Sequence, residues 1–158
     1  GMRKITVSTS GLVPQILKLA DLNLQIVLAI SLNAPENNIR DRIMPVNKKY
    51  PLEDLIKATK YYIHKTNRRI TFEYVLIKDI NDSLIMAKKT ASLLKGLLCH
   101  VNLIPLNSVE ESIYKKPSTK TINEFKNILE NRGIETTIRQ ERGTEINAAC
   151  GQLRNSDR

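Results

Sequence analysis

Apolar and polar positions along the chain switch repeatedly between a period of two and a period near 3.6. Residues 5–10 are a short β-branched run stopped by Gly11, after which Leu12, Ile16, Leu19 and Ala20 recur at helical spacing, with Pro14 tolerated in a first turn. Residues 24–30 form a nearly unbroken apolar run, the mark of a strand covered on both faces. Ala34 and Pro35 then lead into a polar turn with helical character over 36–43, and a loop with two lysines spans 45–51. Leu52, Leu55, Ile56, Thr59, Tyr62 and Ile63 define the next helix, opened by Pro51, with Glu53 and Asp54 at the positive end of its dipole. A third strand is expected over 69–77, and a turn and cap over 79–82. Leu84, Ala87, Ala91, Leu94 and Leu98 then line a second long helix. Residues 100–107 read as a fourth strand followed by a polar loop to Pro117. Ser118 caps a helix with Ile122, Phe125, Ile128 and Leu129 on its face, Gly133 stops it, and residues 134–140 close the series as a fifth strand.

Strict alternation of strand and helix implies right-handed βαβ units and a parallel sheet, an α/β fold. Ligands of such sheets bind beyond the carboxyl ends of the strands. The polar ends here are residues 8–10, 31–33 and 102–107, which the topology brings to one rim. They offer hydroxyls and carboxamides without a carboxylate pair for acid–base chemistry. Such groups suit a neutral or zwitterionic ligand with ribose and amino-acid parts, although Ser and Asn also serve ordinary turns and caps.

Composition narrows the class. At 158 residues the chain is long enough for one domain with a real core. Residues 1–142 read as its body and 143–158 as a tail without apolar periodicity. No apolar run approaches the roughly 20 residues of a membrane span. Two cysteines, Cys99 and Cys150, are too few for a disulfide framework and fit no zinc spacing, so a reducing, cytoplasmic setting is expected. A net charge of +9 favours a polyanionic partner such as nucleic acid. Gly1 before Met2 has the form of a tag-cleavage scar, which suggests a chain cut from something longer.

Few single residues stand out. His64 and His100 lack a second ligand at metal spacing and read as structural. Glu73 interrupts an apolar strand, as the partner of a buried base or as a group facing a cavity. Cys150 lies among Ala148, Ala149 and Gly151, which leave its neighbourhood nearly free of bulk. Taken alone it reads either as a small buried hydrophobe or as a thiol able to meet a ligand closely.

Six stretches in order change that picture. They are residues 6–14 (TVSTSGLVP), 28–35 (LAISLNAP), 40–50 (RDRIMPVNKKY), 73–75 (EYV), 102–107 (NLIPLN), and Arg142-Gly143 with 148–153 (AACGQL). Together they resemble the C-terminal half of the radical-SAM rRNA adenine methyltransferases, which methylate carbon 2 of an adenine in 23S rRNA and often in tRNA. The resemblance implies the second half of a partial (β/α)6 barrel. It implies contacts to S-adenosyl-L-methionine (SAM) at Ser8, at Ser31, Leu32 and Asn33, and at Asn107. Many members carry histidine where Asn33 stands, and either side chain can hydrogen-bond.

The cysteine that accepts a methyl group in the family matches Cys150. A second SAM, cleaved at a reduced 4Fe-4S cluster, would then generate the radical that moves the carbon to the base, and another cysteine would resolve the adduct. The cluster motif, the Gly-Glu SAM contact, the resolving cysteine and the N-terminal RNA-binding part have no match here. A lone fragment is therefore expected to be inactive and to expose apolar edge, with an electron donor needed by the parent. Two alternatives stand beside this reading: the sister enzymes, which share the cysteine, methylate carbon 8 and confer antibiotic resistance, and a non-catalytic RNA-binding α/β module, supported by the +9 charge alone.

Overall fold

A computed structural model describes residues 1–107 and 113–139; Cys150 and the tail from 143 onward lie outside the described residues. Within them, β1 (Thr6–Thr9), β2 (Val27–Ser31), β3 (Ile70–Leu76), β4 (Cys99–Pro105) and β5 (Glu135–Ile138) form a sheet in the order β1-β2-β3-β4-β5. Every pairing is parallel, as the alternation requires. The crossovers carry α1 (Val13–Asp21), α2 (Asn37–Ile43) with α3 (Leu52–Thr66), α4 (Leu84–Leu94) and α5 (Thr119–Glu130). Because neighbours in sequence are neighbours in the sheet, right-handed crossovers put the helices on one face. That is the winding of a barrel wall, as opposed to a doubly wound sheet.

The strands show the consequence. In β3, Ile70, Phe72, Tyr74 and Leu76 are buried while Thr71, Glu73 and Val75 are half-buried. The first set joins Leu28, Ile30, Val101 and Leu103 in one core with Ile16, Leu55, Tyr62, Ala87, Ala91, Ile122, Phe125 and Leu129 of the helices. Phe125 stacks at a tilt on Tyr74 with ring centroids 5.1 Å apart. The tyrosine hydroxyl remains satisfied in this dry site by donating to the Asn81 carbonyl at 2.9 Å.

β4 (Cys99–Pro105) and β5 (Glu135–Ile138) end up to two residues short of the expected 107 and 140, and two other element ends depart further. β2 begins at Val27, since Leu24 and Gln25 precede the first ladder pair, Thr6 with Val27. Helix α4 stops at Leu94: Gly96 adopts φ +78, and Leu98 lies half exposed outside the helix it was expected to line. β1 has one paired neighbour, and Ile5 and Val7 are exposed along this sheet edge.

The contrast between buried Phe125 and half-exposed Leu98 is testable in urea titrations of the full-length protein. Phe125→Ala should lower unfolding free energy by about 3–5 kcal/mol, through lost burial and a residual cavity. Leu98→Ala should stay within about 0.5 kcal/mol of the parent.

Candidate functional site

The carboxyl ends of β1 and β2 meet at one buried guanidinium. Arg40, in α2, is fully buried. Its Nε donates to the Leu32 carbonyl at 2.9 Å, and one terminal nitrogen donates to the Ser10 and Ser31 carbonyls, each at 2.9 Å. The other donates to Asn47 Oδ1 at 2.8 Å. Burial pulls the guanidinium down to about 10, and the Asp41 carboxylate pulls the other way, so the group stays charged at neutral pH. Asn47, itself buried, donates to Asp41 Oδ1 at 2.7 Å and to Asn37 Oδ1 at 3.0 Å. Asn37 Oδ1 in turn accepts from the Leu52 amide at 2.9 Å, which fixes the start of α3. Gly11 has to be glycine here. Its φ is +110, and a Cβ would lie 3.1 Å from the Arg40 guanidinium.

A second buried amide ties β2 to β3. Asn81 Nδ2 donates to the Asn33 and Val75 carbonyls, both at 2.7 Å, and its Oδ1 accepts from the Ile77 amide at 2.7 Å. Asn33 sits in the left-handed region at φ 58. Its Oδ1 accepts from the Val75 amide at 2.9 Å, and its Nδ2 lies 3.1 Å from the Met44 sulfur. The Asn33 carboxamide is therefore committed to the scaffold. Leu32 is buried, and its amide donates to the Glu73 carbonyl at 2.9 Å. These two expected site residues shape the rim through backbone and packing, while Ser8 and Ser31 present hydroxyls.

Register gathers the polar groups on the face opposite the helices. Ser31 pairs with Glu73, Glu73 with Asn102, and Asn102 with Thr137. In a parallel sheet such partners share a face, so these four make a polar row across β2 to β5. Ser8 lies beside Ala29, one pleat earlier on the same face. Thr137 Oγ1 donates to Asn102 Oδ1 at 3.2 Å and lies 3.0 Å from His100 Nε2. At the end of β4, Asn107 keeps a buried Oδ1 without a hydrogen-bond partner. Such an atom is costly to leave unpaired and suits a donor from a ligand.

The described residues offer nothing for a metal. No group of three or more His, Cys, Asp or Glu is placed to hold an ion. Cys99 is half-buried, and burial raises its thiol to about 11, away from the thiolate a metal needs. His64 is exposed, and His100 serves the sheet through Thr137. No helix among the described residues is long and apolar enough to cross a membrane. Arg40, Asn47 and Asn81 were not singled out from sequence as site residues. Arg40 and Asn47 do fall within the 40–50 stretch, and that spacing was the available signal.

A singly wound parallel sheet with polar groups at the carboxyl ends of its strands is the arrangement of a (β/α) barrel wall, and two solved structures share it. A radical SAM methyltransferase from Sphaerobacter thermophilus matches with TM-score 0.93 and 53% identity, over 96% of this chain and 45% of that one. A domain of pyruvate-formate lyase-activating enzyme from Bacteroides vulgatus shares the fold at TM-score 0.66 and 18% identity, over 85% of this chain and 80% of that one. Among sequences, the probable dual-specificity RNA methyltransferase RlmN of Alkaliphilus oremlandii is 60% identical over 154 residues, 98% of this chain and 45% of that protein. Its counterpart in Clostridium tetani is 58% identical over 154 residues, 98% of this chain and 44% of that protein. No family model matches the chain. By sequence and fold together, the chain is homologous to part of the radical SAM methyltransferases, and it spans less than half the length of these curated relatives.

His100 supplies a pH dependence. Desolvation lowers its pKa, with Glu135 raising it and Arg69 lowering it. A base depressed on folding binds fewer protons folded than unfolded. Its share of stability is thus complete above its ordinary value of 6.5 and declines as pH falls through that value. Urea titrations between pH 7.5 and 5 should show this decline, and His100→Gln should flatten it.

Proposed function

We propose that this chain is the part of a radical SAM RNA methyltransferase that carries the SAM rim and the methyl-accepting cysteine, and that the whole enzyme methylates carbon 2 of an adenine in 23S rRNA and in tRNA. The observation that carries this reading is the 60% identity to a dual-specificity RNA methyltransferase along nearly the whole chain. The rim supports it chemically. SAM presents ribose hydroxyls, an adenine amine and an amino-acid end, and when bound it supplies an activated methyl group. On this reading Ser8 and Ser31 hydrogen-bond the ligand, Leu32 and Asn33 shape its bed, and the unpartnered Oδ1 of Asn107 takes one of its donors. Cys150 receives the methyl group; it lies outside the described residues, and its small neighbours admit both SAM and a nucleobase.

A 4Fe-4S cluster does not fit the described residues, which hold no set of ligands for it. Its ligands, and the site where an electron donor reaches it, are assigned to protein outside this chain. The chain alone is accordingly inactive. The +9 charge suits the RNA partner. The carbon-2 assignment is preferred to the sister carbon-8 activity because the relatives above bear the RlmN name.

Cys150→Ala in the full-length enzyme should abolish methylation of an RNA substrate while leaving SAM binding within about twofold. Mass spectrometry of the wild-type product should place the methyl group on carbon 2. Wild-type-like methylation by the variant would rule out the assigned role, and a carbon-8 product would transfer the chain to the sister enzymes.

A further inference from the structure

We propose that Glu73 is a direct ligand of SAM, its carboxylate set against the cationic sulfonium end of the molecule; this rests on the SAM-binding reading above. Glu73 occupies the middle of the open face, between Ser31 on β2 and Asn102 on β4. Its neighbours along β3 on that face, Thr71 and Val75, are neutral, as are both partners in register. The side chain is half-buried, and among the described residues it has no hydrogen bond and no ion pair.

That isolation is unusual for this chain. Glu36, Glu124, Glu130 and Glu135 each pair with a lysine or arginine, and Glu53 accepts from Asn37. The chain carries 25 basic residues against 16 acidic ones, yet among the described residues none forms an ion pair with Glu73. A half-buried carboxylate without a partner is unfavourable unless a cation or several donors arrive with the ligand. The second unpaired acceptor, Asn107 Oδ1, lies two residues past Pro105, the last residue of the neighbouring strand β4. Two acceptors awaiting donors call for a cationic, donor-bearing ligand, and SAM is one. Its demethylated product, S-adenosylhomocysteine, has the same ribose, base and amino acid but a neutral sulfur.

The test is calorimetric titration of SAM and S-adenosylhomocysteine into the full-length protein and its Glu73→Gln variant. The amide should weaken SAM binding on the order of tenfold, the scale of one charge-assisted contact. Binding of S-adenosylhomocysteine should change less than about twofold, and RNA affinity and melting temperature should hold. Equal weakening of both ligands, or SAM affinity within about twofold of wild type, overturns the proposal. Failure of the wild type to bind SAM overturns the underlying reading, which is a distinguishable outcome. Should Glu73→Gln fail to fold, Glu73→Asp keeps the charge one methylene back. It should retain a reduced preference for SAM over the neutral product, and an unchanged preference contradicts the contact.

Discussion

Carbonyl oxygens at the end of a parallel strand have no further ladder to join, and at β1 and β2 that problem is solved by one cation. Arg40 accepts the cost of complete burial and gives donors to Ser10, Ser31 and Leu32 at once. Asn47 then passes the network to Asn37, Asp41 and the start of α3. An arginine is suited to this because its planar fork reaches several acceptors in fixed directions, which a lysine cannot do. Two strand ends, a short helix and the next long helix are thereby held as one body. The segments expected to meet SAM, 8–10 and 31–33, lie inside that body.

The second constraint is the sidedness of the sheet. Apolar residues of period two feed the helix face, and the alternate positions bring Ser31, Glu73, Asn102 and Thr137 into one row on the other. A single winding direction makes this difference between faces, since a doubly wound sheet would cover both with helices. The exposed edge at β1, with Ile5 and Val7, has the character of a surface built to continue into further wall. That agrees with a chain spanning less than half of its relatives.

Much of this was legible in the sequence, because strands and helices differ in period and the pieces alternate. The apolar run before β2 blurred its start, since buried apolar residues such as Ile26 also precede the ladder. The end of α4 was missed because Leu98 continues the helical spacing past the break at Gly96. The network at the rim was harder. Arginine and asparagine are usually exposed, so nothing in the sequence marks Arg40, Asn47 and Asn81 as buried; their burial depends on partners distant in the chain. Glu73 was recognised as out of place in an apolar strand, but only the sheet's winding tells which face it occupies. Its lack of an ion pair among the described residues depends on packing that one sequence does not express.

The central claim is that Arg40 holds the rim as a unit, and amide hydrogen exchange on the full-length protein with Arg40→Lys tests it most directly. A lysine keeps the charge but cannot serve three carbonyls with the same geometry, and each carbonyl left unpaired costs about 1–3 kcal/mol. Protection should fall at residues 10–12 and 31–34 and at the start of α3, while α5 and β5 keep theirs. A uniform loss across the sheet, or no loss at those segments, would contradict the account.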